Sequence, residues 1–329
     1  MAVLVTGGAG YIGAHMVLRL LDDGESVIVL DNLTTGFRSA VPDRARLVVG
    51  DAGDFEFVTN LIKQNAIDAI VHFAAKIVVP ESVADPLGYY LNNTVRSRAL
   101  IAAAVAAGVK HFIFSSTAAV YGDPSLSPVP EEAALAPVSP YGTSKMMTEF
   151  MLRDAAAAYP LTYVALRYFN VAGADPLGRA GQSTPNATHL IKVAVQAALG
   201  MRDGMQIYGT DYKTADGTCV RDYIHVSDLI AAHAAALRHL RDGGASRIFN
   251  CGYGRGYSVR QVIDTVQQVS GVDFRVDIAA RRPGDPASIV AGAARIRDEL
   301  GWKPQFDDLP LIVKHALAWE SRIANQPMG

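Results

Sequence analysis

The sequence predicts an α/β protein: a doubly wound parallel sheet of Rossmann type followed by a smaller C-terminal lobe. Three observations predict it. Short, apolar, β-branched runs alternate with helical patterns through the first half of the chain. A glycine-rich turn, T-G-G-A-G-Y-I-G (Thr6 to Gly13), stands between the first run and the first helix. Farther on, S-P-Y-G-T-S-K (Ser139 to Lys145) sets a phenol and an ammonium four residues apart, downstream of a run that ends in hydroxyls.

The elements follow in order. Residues 2–5 read as a buried strand and 11–22 as a helix. Strands follow at 26–30, 45–49 and 69–73, with a helix at 55–65 between the last two. A long helix covers about 87–107, and 111–115 is the next strand. A loop rich in Pro and Ser spans 123–140, then a helix runs from Tyr141 to about Tyr159 and a strand covers 162–167. Beyond Arg167 the alternation weakens, and 173–188 is loop-like. The expected division is a first domain over 1–170 and a smaller one mainly over 171–329, with some segments returning to the first. The alanine-rich runs at 102–107 and 231–236 read as ordinary helix interior.

Composition narrows the function classes. The 329 residues are 50% hydrophobic, and the formal net charge of −2 comes from intermixed acids and bases. No basic patch suggests a nucleic-acid or polybasic membrane surface. No apolar stretch approaches the length of a membrane span, and M-A-V-L-V-T-G-G lacks a basic leader, so the cytoplasm is the expected compartment. Cys219 and Cys251 are far apart and read as buried hydrophobes. The eight histidines form no ligand-spaced cluster, so no metal is expected.

In the glycine turn, Gly7 allows the tight bend, Gly10 lets backbone approach a pyrophosphate at the helix N-terminus, and Gly13 permits close helix–strand packing; Tyr11 and Ile12 lie between them. Asp31 ends the second strand, where a carboxylate accepts hydrogen bonds from adenosine ribose hydroxyls and repels a 2′-phosphate. The cofactor is therefore expected to be NAD. Asp51 ends the third strand, within reach of an adenine amino group. Ser139 suits an N-cap and Pro140 a first helical position, so Tyr141 and Lys145 share one helix face. Ser115, Ser116 and Thr117 end the strand before it, at the edge where open sheets bind ligands. A neighbouring ammonium and the positive nicotinamide both favour phenolate, and Tyr141 then acts as base toward a sugar hydroxyl also held by Thr117, while Lys145 holds the nicotinamide ribose. Arg221 and Arg282 suit a diphosphate, because a guanidinium fork binds it bidentately.

These segments, with L-D-N-L, H-F-A-A, E-S-V-A-D-P-L-G-Y-Y-L-N-N, F-S-S-T-A-A-V-Y-G, R-Y-F-N-V-A-G-A and D-G-T-C-V-R-D-Y-I-H-V, cover nearly the whole chain. Together they resemble the extended short-chain dehydrogenase/reductase family, and within it the nucleotide-sugar epimerases. The resemblance implies interconversion of UDP-glucose and UDP-galactose: transient oxidation at C4 by tightly bound NAD, rotation of the 4-keto sugar, and hydride return to its other face. It also implies a homodimer.

Residue by residue, it matches Tyr141 to the base, Lys145 to its partner and Thr117 to the Ser/Thr position. Asn32, Ala52, Phe73, Ala74, Ala75, Asn92, Ser115 and Tyr168 match positions beside the cofactor. Phe169, Asn170, His189, Gln206, Tyr208, Arg221, Arg282 and Asp285 match contacts to the UDP-sugar, and Ile289 matches a position that limits the sugar pocket. One segment departs from the pattern. Relatives often read F-A-A-L-K-A-V-G-E-S, whereas this chain reads F-A-A-K-I-V-V-P-E-S, so the lysine stands at 76 and Ile77 fills its usual place.

A dehydratase on this scaffold needs a further acid/base pair directly after the threonine, and here Ala118 and Ala119 follow Thr117. Epimerases of UDP-N-acetylhexosamines or UDP-pentoses, a decarboxylase, a reductase, and a non-catalytic NAD-binding protein are the remaining alternatives.

Overall fold

The computed structural model describes residues 1–184, 187–282 and 284–325. The N-terminal half runs β1 (Ala2–Thr6), α1 (Tyr11–Asp22), β2 (Ser26–Asp31), β3 (Arg46–Val49), α2 (Phe55–Gln64) and β4 (Ile67–His72). Next come α3 (Val79–Ala84), α4 (Pro86–Tyr89), α5 (Arg96–Ala107), β5 (His111–Thr117), α6 (Pro140–Ala158) and β6 (Thr162–Tyr168). The later chain supplies β7 (Asn170–Ala172), α7 (Leu190–Ala198), β8 (Met205–Tyr208), β9 (Val220–Arg221), β10 (Tyr223–His225), α8 (Val226–Arg241) and β11 (Arg247–Cys251). It ends with β12 (Tyr257–Ser258), α9 (Val259–Ser270), β13 (Val276–Ala279), β14 (Ser288–Ile289), α10 (Ala294–Leu300) and α11 (Leu309–Asn325).

Seven strands form one sheet in the order β11-β6-β5-β4-β1-β2-β3, and every pairing is parallel. Because side chains alternate across a strand, each strand feeds two cores. Leu4, Ile28, Ile70, Phe112 and Phe114 face one way, against Val58, Leu61, Leu100 and Leu152 of α2, α5 and α6. Val3, Val5, Val29, Val71 and Ile113 face the other way, against Met16, Val17 and Leu20 of α1 and Leu229 and Leu237 of α8. Both faces are therefore apolar and covered, which is why the strands read as unbroken hydrophobic runs. Beyond residue 170, α8 and β11 join these layers. The small sheets β10-β7, β12-β9-β14 and β13-β8 form the second lobe with α7, α9 and α11.

Three elements differ from expectation. The helix expected over 87–107 starts at Pro86, capped by Asp85 accepting from the Gly88 amide, and is π-helical over Tyr90–Val95 before continuing as α5. The strand expected at 69–73 begins at Ile67 and stops at His72, because Phe73 turns out of the sheet while its amide still bonds the Thr6 carbonyl at 3.0 Å. β7 lies in a stretch with no strand signal of its own; it is held by parallel pairing with β10.

A buried polar network crosses the carboxyl ends of β5, β6 and β11. Glu149 of α6 accepts from Ser116 Oγ at 2.5 Å and from Arg167 Nη2 at 2.6 Å. Arg167 Nη1 donates to Tyr121 Oη at 2.9 Å, and Tyr121 Oη donates to Asn250 Oδ1 at 2.7 Å. The Arg167 and Glu149 side chains are 4% and 1% exposed. Glu149→Ala leaves the guanidinium buried without its counter-charge. The expected loss is about 3–5 kcal/mol of unfolding free energy, checked by urea denaturation against the unaltered chain.

Candidate active site

The strand order reverses between β1 and β4, which opens a crevice at their carboxyl ends. The glycine turn leaves β1 there. Gly7 has φ +70°, and a Cβ on it would lie 2.6 Å from the Ala74 amide nitrogen; a Cβ on Gly13 would lie 2.1 Å from the Gly7 carbonyl oxygen. Gly10 caps α1 with no side-chain acceptor, and no acidic residue occupies the first turn. The amides of that turn therefore remain available to an anion. A cleft of about 360 Å³ lies over this end, between Gly10 and Tyr11 on one side and Gly181 and Trp319 on the other. An uncapped helix start, reached only because glycines remove two clashes, fits a dinucleotide pyrophosphate.

Asp31 is buried and points into the same turn. Its two oxygens accept from the Ala9 amide at 3.0 Å and the Leu33 amide at 2.8 Å, which orients the carboxylate at the strand end. Asn32 and Arg38 are exposed in the following loop. Asp51 has partners of its own within the protein. It accepts from the Gly53 amide and pairs with Arg96 at 3.0 Å, while Arg96 also donates to Asn92. Asp51, Arg96 and Asn92 thus form one cluster just beyond β3, with Ala52 next to Asp51 in the chain. The buried neighbour Asn93 bridges the Lys76 backbone and Ser144 of α6, and so holds the segment after Phe73–Ala75 in place. Lys76 turns outward over Tyr89, toward Glu81 at 3.4 Å and Asp85 at 4.0 Å.

Ser139 caps α6 by accepting from the Gly142 amide. One turn in, Tyr141 and Lys145 are both buried, and Glu149 continues the same face at the next interval of four. Thr117 Oγ1 accepts from the Ala119 amide, and the threonine lies close enough to the Tyr141 phenol to oppose the rise in its pKa. Lys145 Nζ donates to the Ser115 carbonyl at 2.9 Å and lies 4.9 Å from the Phe114 ring centroid. Within the protein itself, burial raises the Tyr141 pKa, opposed by the nearby Thr117. Burial also pulls Lys145 down to about 7, partly offset by Glu149. Both shifts have one cause, the loss of water around the charged forms.

Ser115 is further held by a residue that reads from sequence as inert helix interior. His233, inside the alanine run of α8, bonds Leu229 O through Nδ1 at 2.9 Å and contacts Ser115 Oγ through Nε2 at 3.1 Å. Its ring packs on Phe73 at 5.0 Å and lies 6.3 Å from the Tyr168 ring, and burial lowers its pKa to about 4. Nothing local marks His233, whereas the i, i+4, i+8 spacing of Tyr141, Lys145 and Glu149 was available to mark the last of these.

The residues matched to the sugar nucleotide fall into two groups. Phe169 is buried and Asn170 exposed at the start of β7, and both His189 and Asn170 line a cleft of about 450 Å³. Pairing of β8 with β13 brings the second group together. Arg282 stacks 3.7 Å over Tyr208, whose hydroxyl donates to Gln206, and Arg221 faces Asp285 at 3.6 Å. Ile289 pairs in register with Arg221 and is buried in the hydrophobic core. Among the described residues, no cluster of three His, Cys, Asp or Glu side chains could hold a metal ion, and no helix is long and apolar enough to cross a membrane.

Residues 3–252 match the NAD dependent epimerase/dehydratase family. The chain is 57% identical over 327 residues to the UDP-glucose 4-epimerase of Azospirillum brasilense, covering 99% of this chain and 94% of that relative. The crystal structure of UDP-glucose 4-epimerase from Brucella ovis in complex with NAD is similar at a TM-score of 0.94 and 43% identity, over 96% of this chain and 97% of that one. The UDP-Glc/GlcNAc 4-epimerase from Campylobacter jejuni is similar at a TM-score of 0.86 and 48% identity, over 98% and 99% of the two chains. With the glycine cradle at the sheet crossover and Tyr141 at the end of β5, these likenesses make the chain a member of the NAD dependent epimerase/dehydratase family.

Proposed function

We propose that the chain is a UDP-glucose 4-epimerase, interconverting UDP-glucose and UDP-galactose with NAD as its cofactor. The observation that carries this reading is the buried Tyr141 on the same helix face as Lys145 and close to Thr117 at the end of β5, with Ala118 and Ala119 following where a dehydratase needs acid and base. The named relative at 57% identity supports it. NAD held in the crevice would supply the hydride acceptor and donor for C4 of the sugar. Tyr141 takes the proton of the 4-hydroxyl and later returns it, while Thr117 orients that hydroxyl. Lys145, fixed by the Ser115 carbonyl, holds the ribose on the nicotinamide side, with Ser115 and Tyr168 lining that end.

Gly7, Gly10, Tyr11, Ile12 and Gly13 cradle the pyrophosphate. Asp31 and Asn32 take the adenosine ribose, and Asp51, Ala52 and Asn92 flank the adenine. Segments of the 171–329 region anchor UDP through Asn170, His189, Gln206, Tyr208, Arg221, Arg282 and Asp285 while the 4-keto sugar turns. A second reading, additional weak action on UDP-N-acetylhexosamines, is favoured by the 48% identity to the Campylobacter jejuni enzyme.

A homodimer in the cytoplasm completes the reading. Leu87, Leu91 and Val95 are 78%, 55% and 53% exposed at intervals of four residues. Beside them are Met147, which touches Thr94, and Phe150, both on α6 and both exposed. An apolar stripe across two neighbouring helices suits burial against a second copy.

Three outcomes are expected. The purified chain converts UDP-galactose to UDP-glucose without added cofactor, and mass spectrometry of the released dinucleotide finds NAD; NADP, or no conversion, overturns the assignment. Tyr141→Phe keeps NAD bound but slows turnover by ~10²–10⁴-fold. Leu91→Asp shifts the species seen by sedimentation velocity from dimer to monomer.

A further inference from the structure

The second lobe contains a buried ion pair that the proposed chemistry does not use. Lys192, in the first turn of α7, and Glu320, on α11, are 6% and 3% exposed. Their Nζ and Oε2 are 2.6 Å apart, and Gln196 Nε2 donates to the other Glu320 oxygen at 2.6 Å. The ammonium also donates to the main-chain carbonyl of Gln182 at 2.6 Å. The Gln182 side chain, in turn, contacts His189 Nδ1 at 2.8 Å. Next to the glutamate, Trp319 Nε1 donates to Ser183 Oγ at 3.3 Å, and a Cβ on Gly181 would lie 2.3 Å from the indole. Helix α11 therefore grips the chain around Gln182 through an ion pair on one side and a ring on the other. Lys192, Glu320, Gln182 and His189 all line the cleft that also holds Asn170.

Packing alone does not account for the pair. Two apolar side chains of similar size fill such a space about as well, and often with greater stability. What they cannot do is donate to the Gln182 carbonyl. We propose that Lys192 and Glu320 are positioning residues: their ion pair latches the loop around Gln182 to α11 and thereby sets His189 at the wall of the UDP-sugar cleft. This inference rests on the assignment of that cleft to the sugar nucleotide. The latch is expected to act on binding rather than on proton transfer, because none of its members touches Tyr141, Thr117 or Lys145.

The test compares Lys192→Met/Glu320→Leu, Lys192→Arg and Gln182→Ala with the unaltered enzyme. Removing both charges together avoids an orphaned ion, so the double variant is expected to fold with a similar Tm. Its KM for UDP-galactose should rise about tenfold with kcat within about twofold. Gln182→Ala keeps the ion pair but releases His189, and should raise KM in the same way. Lys192→Arg retains a donor and should stay close to the unaltered KM. A folded double variant with unchanged KM overturns the latch. If the double variant does not fold, an unchanged KM in Gln182→Ala overturns it. If the unaltered chain does not epimerise UDP-galactose, the assigned function fails instead, and the latch is then decided by calorimetric titration of UDP into the same proteins.

Discussion

The active site depends on a buried charge pair that is not itself in the crevice. Glu149 and Arg167 join α6 to β6, and through Ser116, Tyr121 and Asn250 they reach β5, the following loop and β11. The strands end there, so their backbone ladders no longer hold the chain. The polar network takes over that role. Because Tyr141, Lys145 and Glu149 lie on one face of α6, fixing the third fixes the rotation of the helix and so the direction of the first two. Two charges this deep need each other, which makes the arrangement stiff: no partial displacement leaves either one solvated.

The same burial governs the acid–base character of the site. Tyr141 is raised and Lys145 is lowered for one reason, the removal of water around their charged forms. His72, bonded to Thr6 and Ser97 beneath the crevice, is pulled down to about 3, and His233 to about 4. Both imidazoles are therefore neutral hydrogen-bonding parts at physiological pH. They hold strand ends and Ser115 in place without adding positive charge near the phenol, so the charge balance at Tyr141 is left to the groups that occupy the crevice with it.

The second lobe solves a different problem. A cleft for a sugar nucleotide must be anchored firmly at the diphosphate and left roomy at the sugar. Arg282 stacked on Tyr208, and Arg221 bonded to the Val220 and Pro286 carbonyls beside Asp285, are guanidinium groups held in defined planes before any anion arrives. Preorganised forks lose little entropy on binding. Across the cleft, Gln182 contacts His189 and is held by Lys192 of α7, itself paired with Glu320 of α11.

Much of this is local and was legible in the order of residues. Unbroken apolar runs, a glycine turn between strand and helix, a carboxylate ending β2, and Ser-Pro before Tyr141 each follow from short-range constraints of backbone geometry, capping and period. The pairing of β7 with β10, the partner of Asp51, the outward turn of Lys76 and the roles of His233, Glu149 and Lys192 were not legible, because each depends on atoms distant in the chain. The Tyr141 pKa belongs with them. Four-residue spacing brings an ammonium near a phenol, but only the packed structure decides how much water each one loses. The sequence by itself determined the sheet, the glycine turn and the helix face shared by Tyr141 and Lys145, since these rest on near neighbours. The tertiary structure alone decided which buried partner holds each polar group, since burial and long-range contact do not exist until the layers meet.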